Sequence, residues 1–575
     1  MYLRTTRRTN RDGSVVEYLS LAHNYRVDGV VRTKVLCNLG RADALDHDGL
    51  RRLISSLSRH LGDPDPYTEH AAPGDAGLRI TESRSAGGVW LLDGLWRQLG
   101  IDTALRELLG ARRFTTDVER VLFALVANRA LDPCSKLAAT EWAARDVAIP
   151  GLVEFSDDQA YRVMDLLVEA DATAQVQEAV FFACANLLNL EVDVLLFDTT
   201  STYFETEVPD PDVDGEPGFR RYGHSKDHRS DLPQIVIGLA VTAEGIPVRV
   251  WCWPGNTTDT SVLPQVRDGM RDWKLGRVIT IVDRGFSSDA NLAHLRKGGG
   301  HWIAGERMRD KAGDAAQALS RQGRYTVVDD HLHVKEVQVE STPGIRWVVC
   351  LNPAEAVKDK ATRDDAITRL EAELTRIDQA RGTATAALRT ATSAKAKTRL
   401  KAELSGHTRA ECALRDHPTL GRWLRQTSTG RLVIDKAKVA AEAKLDGKYL
   451  LSTSDPHLTP AQVALGFKNL LKAERGVRDL KTTLLLRPVF HRLEARIRAH
   501  VLICWLALLL VRVAENATGT PWAQVSRELD RLSAVTLVGP AGIVVQTTDP
   551  TDAQRRFLAA CKVPPPPRIT TLTPR

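Results

Sequence analysis

The chain has 575 residues, more than one core can organise, so three or four domains of roughly 100–200 residues are expected. Hydrophobic residues make up 43% and charged residues 26%, which argues against a disordered or fibrous chain. The net charge of +6 is a mild excess, and the eight scattered cysteines lack any C-x-x-C or Cys/His zinc spacing, pointing to reduced thiols in a cytosolic protein.

Residues 1–62 read as a small β-rich module. Apolar runs at Val15–Leu19 and Val30–Leu36 are separated by Asn24 and Gly29, and a short helix near Leu50–Leu61 follows. The module is basic (Arg4, Arg7, Arg8, Arg26, Arg32, Lys34), and no secretory leader is visible in it. Residues 62–76 carry Pro, Gly and acids and read as a linker. Residues 77–190 are expected to be helical. Val118–Leu131 keeps a 3.6-residue period until Asp132-Pro133, and a further helix is expected near Gln175–Leu188.

From 191 the pattern changes to strands. Two apolar runs each end in an acid, VLLF before Asp198 and VITIV before Asp283. Between them lie a hairpin over 235–255 and a helix over Ser261–Trp273. Further on, Ile367, Leu370, Leu374 and Ile377 repeat like a coiled-coil seam, which Gly382 is expected to interrupt before a second, Lys-rich helix. One helix is expected from about Pro460 to Leu486, and then an apolar helix over 489–515. The apolar stretch Val501–Val513 is shorter than the ~20 residues a bilayer requires, so it reads as a core helix.

An acid at the carboxyl end of a buried strand lies where open α/β sheets place their ligand crevice. Glu474 is a third candidate. Phe467, Leu471, Glu474, Arg478 and Lys481 are spaced 4,3,4,3 and would share one helix face, the apolar end against a sheet; an exposed Glu474–Arg478 ion pair is the plainer alternative. Three carboxylates brought together repel by about 4 kcal/mol per pair at ~4 Å and an effective dielectric near 20, so such a cluster calls for cations. Oxygen ligands of this kind suit two Mg²⁺ or Mn²⁺ ions, which together promote in-line phosphoryl displacement. The polar loop Gly223–Arg229 offers Lys226, His228 and Arg229 for phosphate contact. Trp251, Trp253 and Trp302 are expected to pack in the core.

The segments DTTSTYFE (198–205), GHSKDHRSDLPQ (223–234), PGNTTD (254–259) and IVDRGF (281–286), followed by the Glu474 helix, occur in one order. Together they resemble the DDE transposases of bacterial insertion sequences, of the IS-four type (insertion sequence 1634 group). That resemblance implies an α/β fold, with a ribonuclease-H-like catalytic core carrying a mixed α/β insertion, preceded by the β-rich module and a helical DNA-binding domain. The core would occupy 191–306 and 456–517, the insertion 307–455, and a C-terminal tail 518–575. Asp198, Asp283 and Glu474 would be the catalytic, metal-binding acids.

The resemblance also implies DNA contacts by Arg284, Arg478 and Lys481. The partners would be terminal inverted repeats and target DNA, held by a homodimer in a synaptic complex, cytoplasmic and nucleoid-associated, with no membrane. Around the glutamate the resembled pattern has a Tyr seven before, an Arg four before and a Lys seven after; here stand Phe467, Leu470 and Lys481, with Lys472, Arg475 or Arg478 to substitute for the missing cation. A transposase-derived DNA-binding protein without catalysis, or a ribonuclease-H-like nuclease, are the alternatives.

Overall fold

A computed structural model describes the chain except residues 11, 63–77, 110–116, 172–173, 189–193, 272, 274–277, 298–299, 310–312, 540 and 575. The linker expected over 62–76 therefore lies outside the described residues but for Gly62. Two compact units are formed, one from 1–83, 535–546 and 569–575, the other from 84–534 and 547–568.

In the smaller unit β1 (Tyr2–Thr9), β2 (Val15–Val27) and β3 (Val30–Arg41) make an antiparallel meander, followed by α1 (His47–Leu61). The β2–β3 turn runs through Asp28 and Gly29, both at positive φ (51° and 79°), which suits the twist of a two-residue hairpin. Strand β4 (Arg79–Ser85) belongs to a second sheet completed by the end of the chain.

The larger unit opens with helices α2 (Gly87–Gln98), α3 (Ile101–Leu109), α4 (Val118–Leu131), α5 (Lys136–Arg145), α6 (Asp157–Ala170) and α7 (Gln175–Leu188). Helices α4 and α7 have the bounds their apolar periodicity predicts. The Asp117 carboxylate caps α4 by accepting from Arg120 N, and every residue of the helix up to Ala130 is buried. Even its charged Glu119 and Arg120 are enclosed. Arg120 pairs with Glu119 at 2.5 Å and Asp93 at 2.6 Å, while Glu119 also accepts from Trp96 Nε1 at 2.7 Å and pairs with Arg106.

Next come β5 (Val194–Tyr203), β6 (Gln234–Thr242), β7 (Pro247–Pro254), α8 (Asp259–Arg271), β8 (Ile279–Val282), α9 (Asp289–Arg296) and β9 (His301–Glu306). They are followed by α10 (Asp314–Ser320), β10 (Thr326–Asp329), β11 (Leu332–Val337), β12 (Arg346–Leu351), α11 (Pro353–Thr390) and α12 (Ala394–Arg415). Then come β13 (Leu424–Gln426), β14 (Leu432–Ile434), α13 (Lys436–Ala443), β15 (Lys448–Thr453), α14 (Pro460–Lys468), α15 (Leu470–Thr482) and α16 (Glu494–Thr518).

Nine of these strands form one sheet in the order β10-β11-β12-β15-β9-β8-β5-β6-β7. Strands β5, β8 and β9 are mutually parallel; every other pairing is antiparallel. The segment expected as a separate insertion, 307–455, thus gives β10, β11, β12 and β15 to the same sheet as β5 and β8. A strand is stabilised wherever its edge finds a partner, however far apart in sequence, and β15 pairs β9 from Thr453↔Ile303 to Leu450↔Glu306.

Side chains alternate between the faces of this sheet. Leu196, Ile281 and Ile303 pack with α14, α15 and the central helix α16, in one cluster with Ala464, Leu470, Ala473, Val477 and Leu508. Leu195, Phe197, Val282 and Trp302 face the other way, with Phe181, Val262, Val266 and Leu292. Trp253 is buried and half-buried Trp251 stacks on it, so all three tryptophans serve packing as expected.

Four further expectations are corrected. Helix α11 runs through Gly382 to Thr390; a solvent-facing glycine costs only about 1 kcal/mol relative to alanine, and neighbouring Ala384 is buried. The helix expected over Pro460–Leu486 breaks at Asn469 into α14 and α15. The apolar helix α16 has 25 residues, long and apolar enough to span a membrane, yet 94% of its apolar window is buried inside the protein. The expected tail, 518–575, is built of α17 (Trp522–Leu529), β16 (Ser533–Gly539), β17 (Gly542–Thr547), α18 (Asp552–Ala560) and β18 (Ile569–Pro574), its strands forming the sheet β18-β17-β16-β4.

Candidate active site

Strand β5 pairs with β8 in the register Val194↔Ile279, Leu195↔Thr280, Leu196↔Ile281. Asp198 and Asp283 each lie two residues beyond that last pair. Both therefore have the parity of Leu196 and Ile281 and belong to the face covered by α14 and α15. Asp198 does not end its strand as expected. Antiparallel pairing with β6 carries β5 on from Asp198↔Leu239 to Tyr203↔Gln234, so the acid sits in mid-strand and half-buried. Asp283 is exposed just after β8, in a turn closed by Phe286 N donating to Asp283 O at 3.0 Å.

Helix α15 brings Glu474 to this face. Its buried residues are Leu470, Ala473, Gly476, Val477 and Leu480, whereas Leu471, expected to anchor the helix, is 64% exposed. The helix thus turns about one residue from the expected orientation, and Gly476 permits a close approach: a Cβ there would stand 2.9 Å from the Leu239 side chain. Glu474 is exposed and makes no ion pair with Arg478.

Burial pushes the Asp198 carboxyl up to about 6; Lys226 and the Thr199 amide draw it back, and the charges of Glu474 and Asp259 raise it. The Thr199 amide donates to Asp198 Oδ1 at 2.7 Å. Lys226 Nζ donates to Thr199 O at 2.9 Å and Thr199 Oγ1 at 2.6 Å, and lies 3.3 Å from Asp259 Oδ2. Asp259 Oδ1 in turn accepts from Thr199 Oγ1 at 2.6 Å, and a Cβ on Gly285 would be 3.6 Å from Asp259 Oδ2. Asp259 therefore sits between β5 and the turn that carries Asp283. Sequence reasoning missed this fourth acid, although it closes the PGNTTD segment; at the start of α8 it reads as an ordinary helix-initiating residue.

Asp283 has its own fixed surroundings. A Cβ on Gly305 would stand 3.3 Å from Asp283 Oδ1 and 2.9 Å from the Phe467 ring, which stacks on Tyr449 with centroids 6.1 Å apart. Among the described residues no group of three or more His, Cys, Asp or Glu side chains is already drawn together in metal-binding geometry.

The expected DNA contacts divide in two. Arg284 and Arg478 are exposed and without ion pairs among the described residues, and His228 is exposed, at a left-handed φ of 57°. The others are engaged within the protein. Lys481, with a side chain only 11% exposed, lies 2.9 Å from Asp227 Oδ1, and burial pulls its ammonium below the usual lysine range. Arg487, also missed, meets Asp227 Oδ2 at 3.2 Å. Arg229 pairs with Asp231, and both Arg229 and Arg487 lie over the Tyr203 ring. Of the substitutes for the missing cation at Leu470, Lys472 donates to Ala243 O and Arg475 pairs with Glu515, which leaves Arg478. Leu470 itself is core, 4% exposed.

The family model described as "Transposase DDE domain" matches residues 193–510, and "IS1634 family transposase, N-terminal domain" matches residues 3–69. The chain is a DDE transposase of the IS1634 group. As such it is an enzyme of DNA transposition, its partner is DNA, and it depends on divalent metal in the manner of that domain. Among solved structures it is similar to a chain of the "piggyBac transposase synaptic complex with hairpin DNA", at 10% identity and a TM-score of 0.33, over 80% of this transposase and 82% of that chain. No curated protein matches.

Proposed function

We propose that this transposase cleaves the ends of its element and joins them to target DNA with Asp198, Asp283 and Glu474 as its metal-holding acids, on a ribonuclease-H-like core. One observation carries the reading: the two aspartates each come two residues past the last pair of adjacent parallel strands, on the face that α15 covers with Glu474. The sheet order β7-β6-β5-β8-β9, three antiparallel strands then two parallel ones, supports the core assignment.

The donor set suits hard divalent cations, two Mg²⁺ or Mn²⁺, because it offers carboxylate oxygens alone and includes an aspartate whose negative charge is disfavoured by burial. Such ions, when bound, activate the attacking oxygen and stabilise the departing 3′-oxygen. The protein's own groups do the rest. Asp259 and Thr199 hold Lys226 beside Asp198, where its ammonium neutralises part of the acid cluster. Arg284 and Arg478 flank the acids as free guanidinium groups for backbone phosphates. Asp227 fixes Lys481 and Arg487 in one wall of a cleft of about 1060 Å³ that also includes Tyr203, Arg220 and Phe490, a cationic lining suited to phosphate.

Two copies, each holding one terminal inverted repeat, would form the synaptic complex and act in the cytoplasm at the nucleoid. The test is Asp283→Asn: Mg²⁺-dependent cleavage of DNA carrying the element's ends should fall by more than about 100-fold, the scale already reached by losing a group that merely orients a metal ligand. End binding should persist in a gel-shift assay. Undiminished cleavage refutes the assignment.

A further inference from the structure

The α11–α12 hairpin leaves the sheet at Asn352 and returns at Gly447, whose carbonyl accepts from Asn352 N at 2.8 Å. Its near half is anchored. Arg363 pairs with Asp446, and Leu370 joins Trp423, Leu424 and Leu432 in a small separate core that reaches Leu374. From Leu374 to Thr390 the helix continues for sixteen residues, about 24 Å at ~1.5 Å per residue, so the tip stands well clear of that core.

Charge is distributed unevenly along this finger. In the near half cations are neutralised by neighbours one turn away: Lys358 with Glu355, Lys360 with Asp364, Arg376 with Glu373. Between Asp378 and Glu403 the sequence has no acid at all. Arg381 in that stretch is paired with Glu411, but Arg389, Lys395, Lys397, Arg399 and Lys401 are all exposed and have no ion pair among the described residues. Lys395 and Lys397 moreover lie at the start of α12, where the helix dipole is positive and disfavours cations, and no acid in the first turn compensates. Helix stability would place acids there, so the pattern serves something other than folding. Along α12, Lys395 and Arg399 form one row, and Lys397 with Lys401 another, on either side of buried Leu400.

We infer that this tip is a contact for the phosphate backbone of duplex DNA, engaged without regard to base sequence. The inference rests on DNA being the substrate, and it adds a surface remote in sequence from the acids. Five unpaired cations on a slender projection match a polyanion whose charges recur at short intervals. Residues 379–402 contain no aromatic side chain for stacking, their one amide side chain, Gln379, lies more than a dozen residues from the Lys395–Lys401 rows, and most of their uncharged positions are Ala or Thr. Such a surface positions DNA; it does not select a sequence.

The test uses the full chain carrying Lys395→Gln, Lys397→Gln, Arg399→Gln and Lys401→Gln together, titrated against a random-sequence duplex over a range of NaCl concentrations. Each phosphate contact contributes about 0.9 to the slope of log Kobs against log salt, so the slope should become shallower by about 2 to 4. Lys358→Gln with Lys360→Gln, a change of charge in the near half, should alter it by less than about 0.5 on the same scale. An unaltered slope in the fourfold variant overturns the proposal. A second measurement leaves every cation in place: with the exposed Cys37 and Cys412 replaced by Ser, an iron chelate tethered through Thr392→Cys should cleave bound duplex beyond the same background lacking that cysteine, and absence of such cleavage also overturns it. Neither result bears on Asp283→Asn, so failure of the finger and failure of the catalytic reading are distinguishable.

Discussion

Asp198 and Asp283 are separated by 85 positions in sequence, yet each comes two residues past the pair Leu196↔Ile281 of neighbouring parallel strands, Asp198 within β5 and Asp283 in the turn just after β8. A shift of β8 by one residue against β5 would send one acid to the opposite face of the sheet. The apolar pattern that buries Ile279 and Ile281 on one side and Val282 on the other thereby fixes the placement of the proposed metal-holding acids as well as the packing.

The first prediction concerns pH. Burial raises the folded-state pKa of Asp198 to about 6, against 3.8 as the ordinary value. The folded state then binds the proton more tightly than the unfolded state, and in metal-free protein this aspartate lowers stability progressively as pH rises from about 4 to 6. Asp198→Asn should raise the metal-free Tm at pH 7.5 and leave it nearly unchanged at pH 4. Because protons and Mg²⁺ compete for the same oxygens, Mg²⁺ should raise the parent Tm at pH 7.5 and much less at pH 5. Equal Mg²⁺ shifts at the two pH values would contradict it.

Two glycines position the acids. Gly305→Ala would drive a methyl group into the Phe467 ring and against Asp283 Oδ1, and Gly476→Ala would press α15 away from Leu239. Each should cost about 1–3 kcal/mol of stability, the usual penalty for overpacking. Each should also lower cleavage at a temperature where the variant remains folded. Thermal melts alongside end-cleavage rates check this; a variant with parental Tm and parental rate would show that the contacts yield freely.

The buried ion cluster on α4 offers a test remote from the chemistry. Glu119→Ala leaves Arg120 with Asp93 as its carboxylate partner and removes the acceptor of Trp96 Nε1. Breaking a buried pair from one side costs about 3–5 kcal/mol, so urea unfolding should move to a clearly lower midpoint. An unchanged midpoint would mean that water reaches the cluster.

Much of this architecture was legible in the sequence because it follows from local pattern. Helices α4 and α7 and strands β6, β7 and β8 lie where apolar runs and turn residues place them. What escaped was decided by long-range partners. Nothing near Asp198 announces that β6 keeps pairing as far as Tyr203, nor does Arg346–Leu351 reveal that it will extend the nine-stranded sheet by way of β15. The break at Asn469 falls inside an otherwise continuous helical pattern, and it alters which residue of α15 faces inward. Asp227 and Asp259 were passed over because a solvent-exposed turn and a helix start are where aspartates ordinarily occur. Lys481 and Arg229 were read as free cations, since sequence spacing does not disclose a carboxylate that folds back onto them.

The rung between Asn352 and Gly447 has an architectural consequence. The excursion it closes departs from β12 and rejoins the sheet at β15, strands that remain hydrogen-bonded to each other from Leu351↔Lys448 onward. A short turn could bridge the same gap, so this appendage can lengthen, shrink or be exchanged between relatives while the strands bearing the acids keep their alignment. Such an arrangement uncouples the reach of the finger from the alignment of the strands at its base.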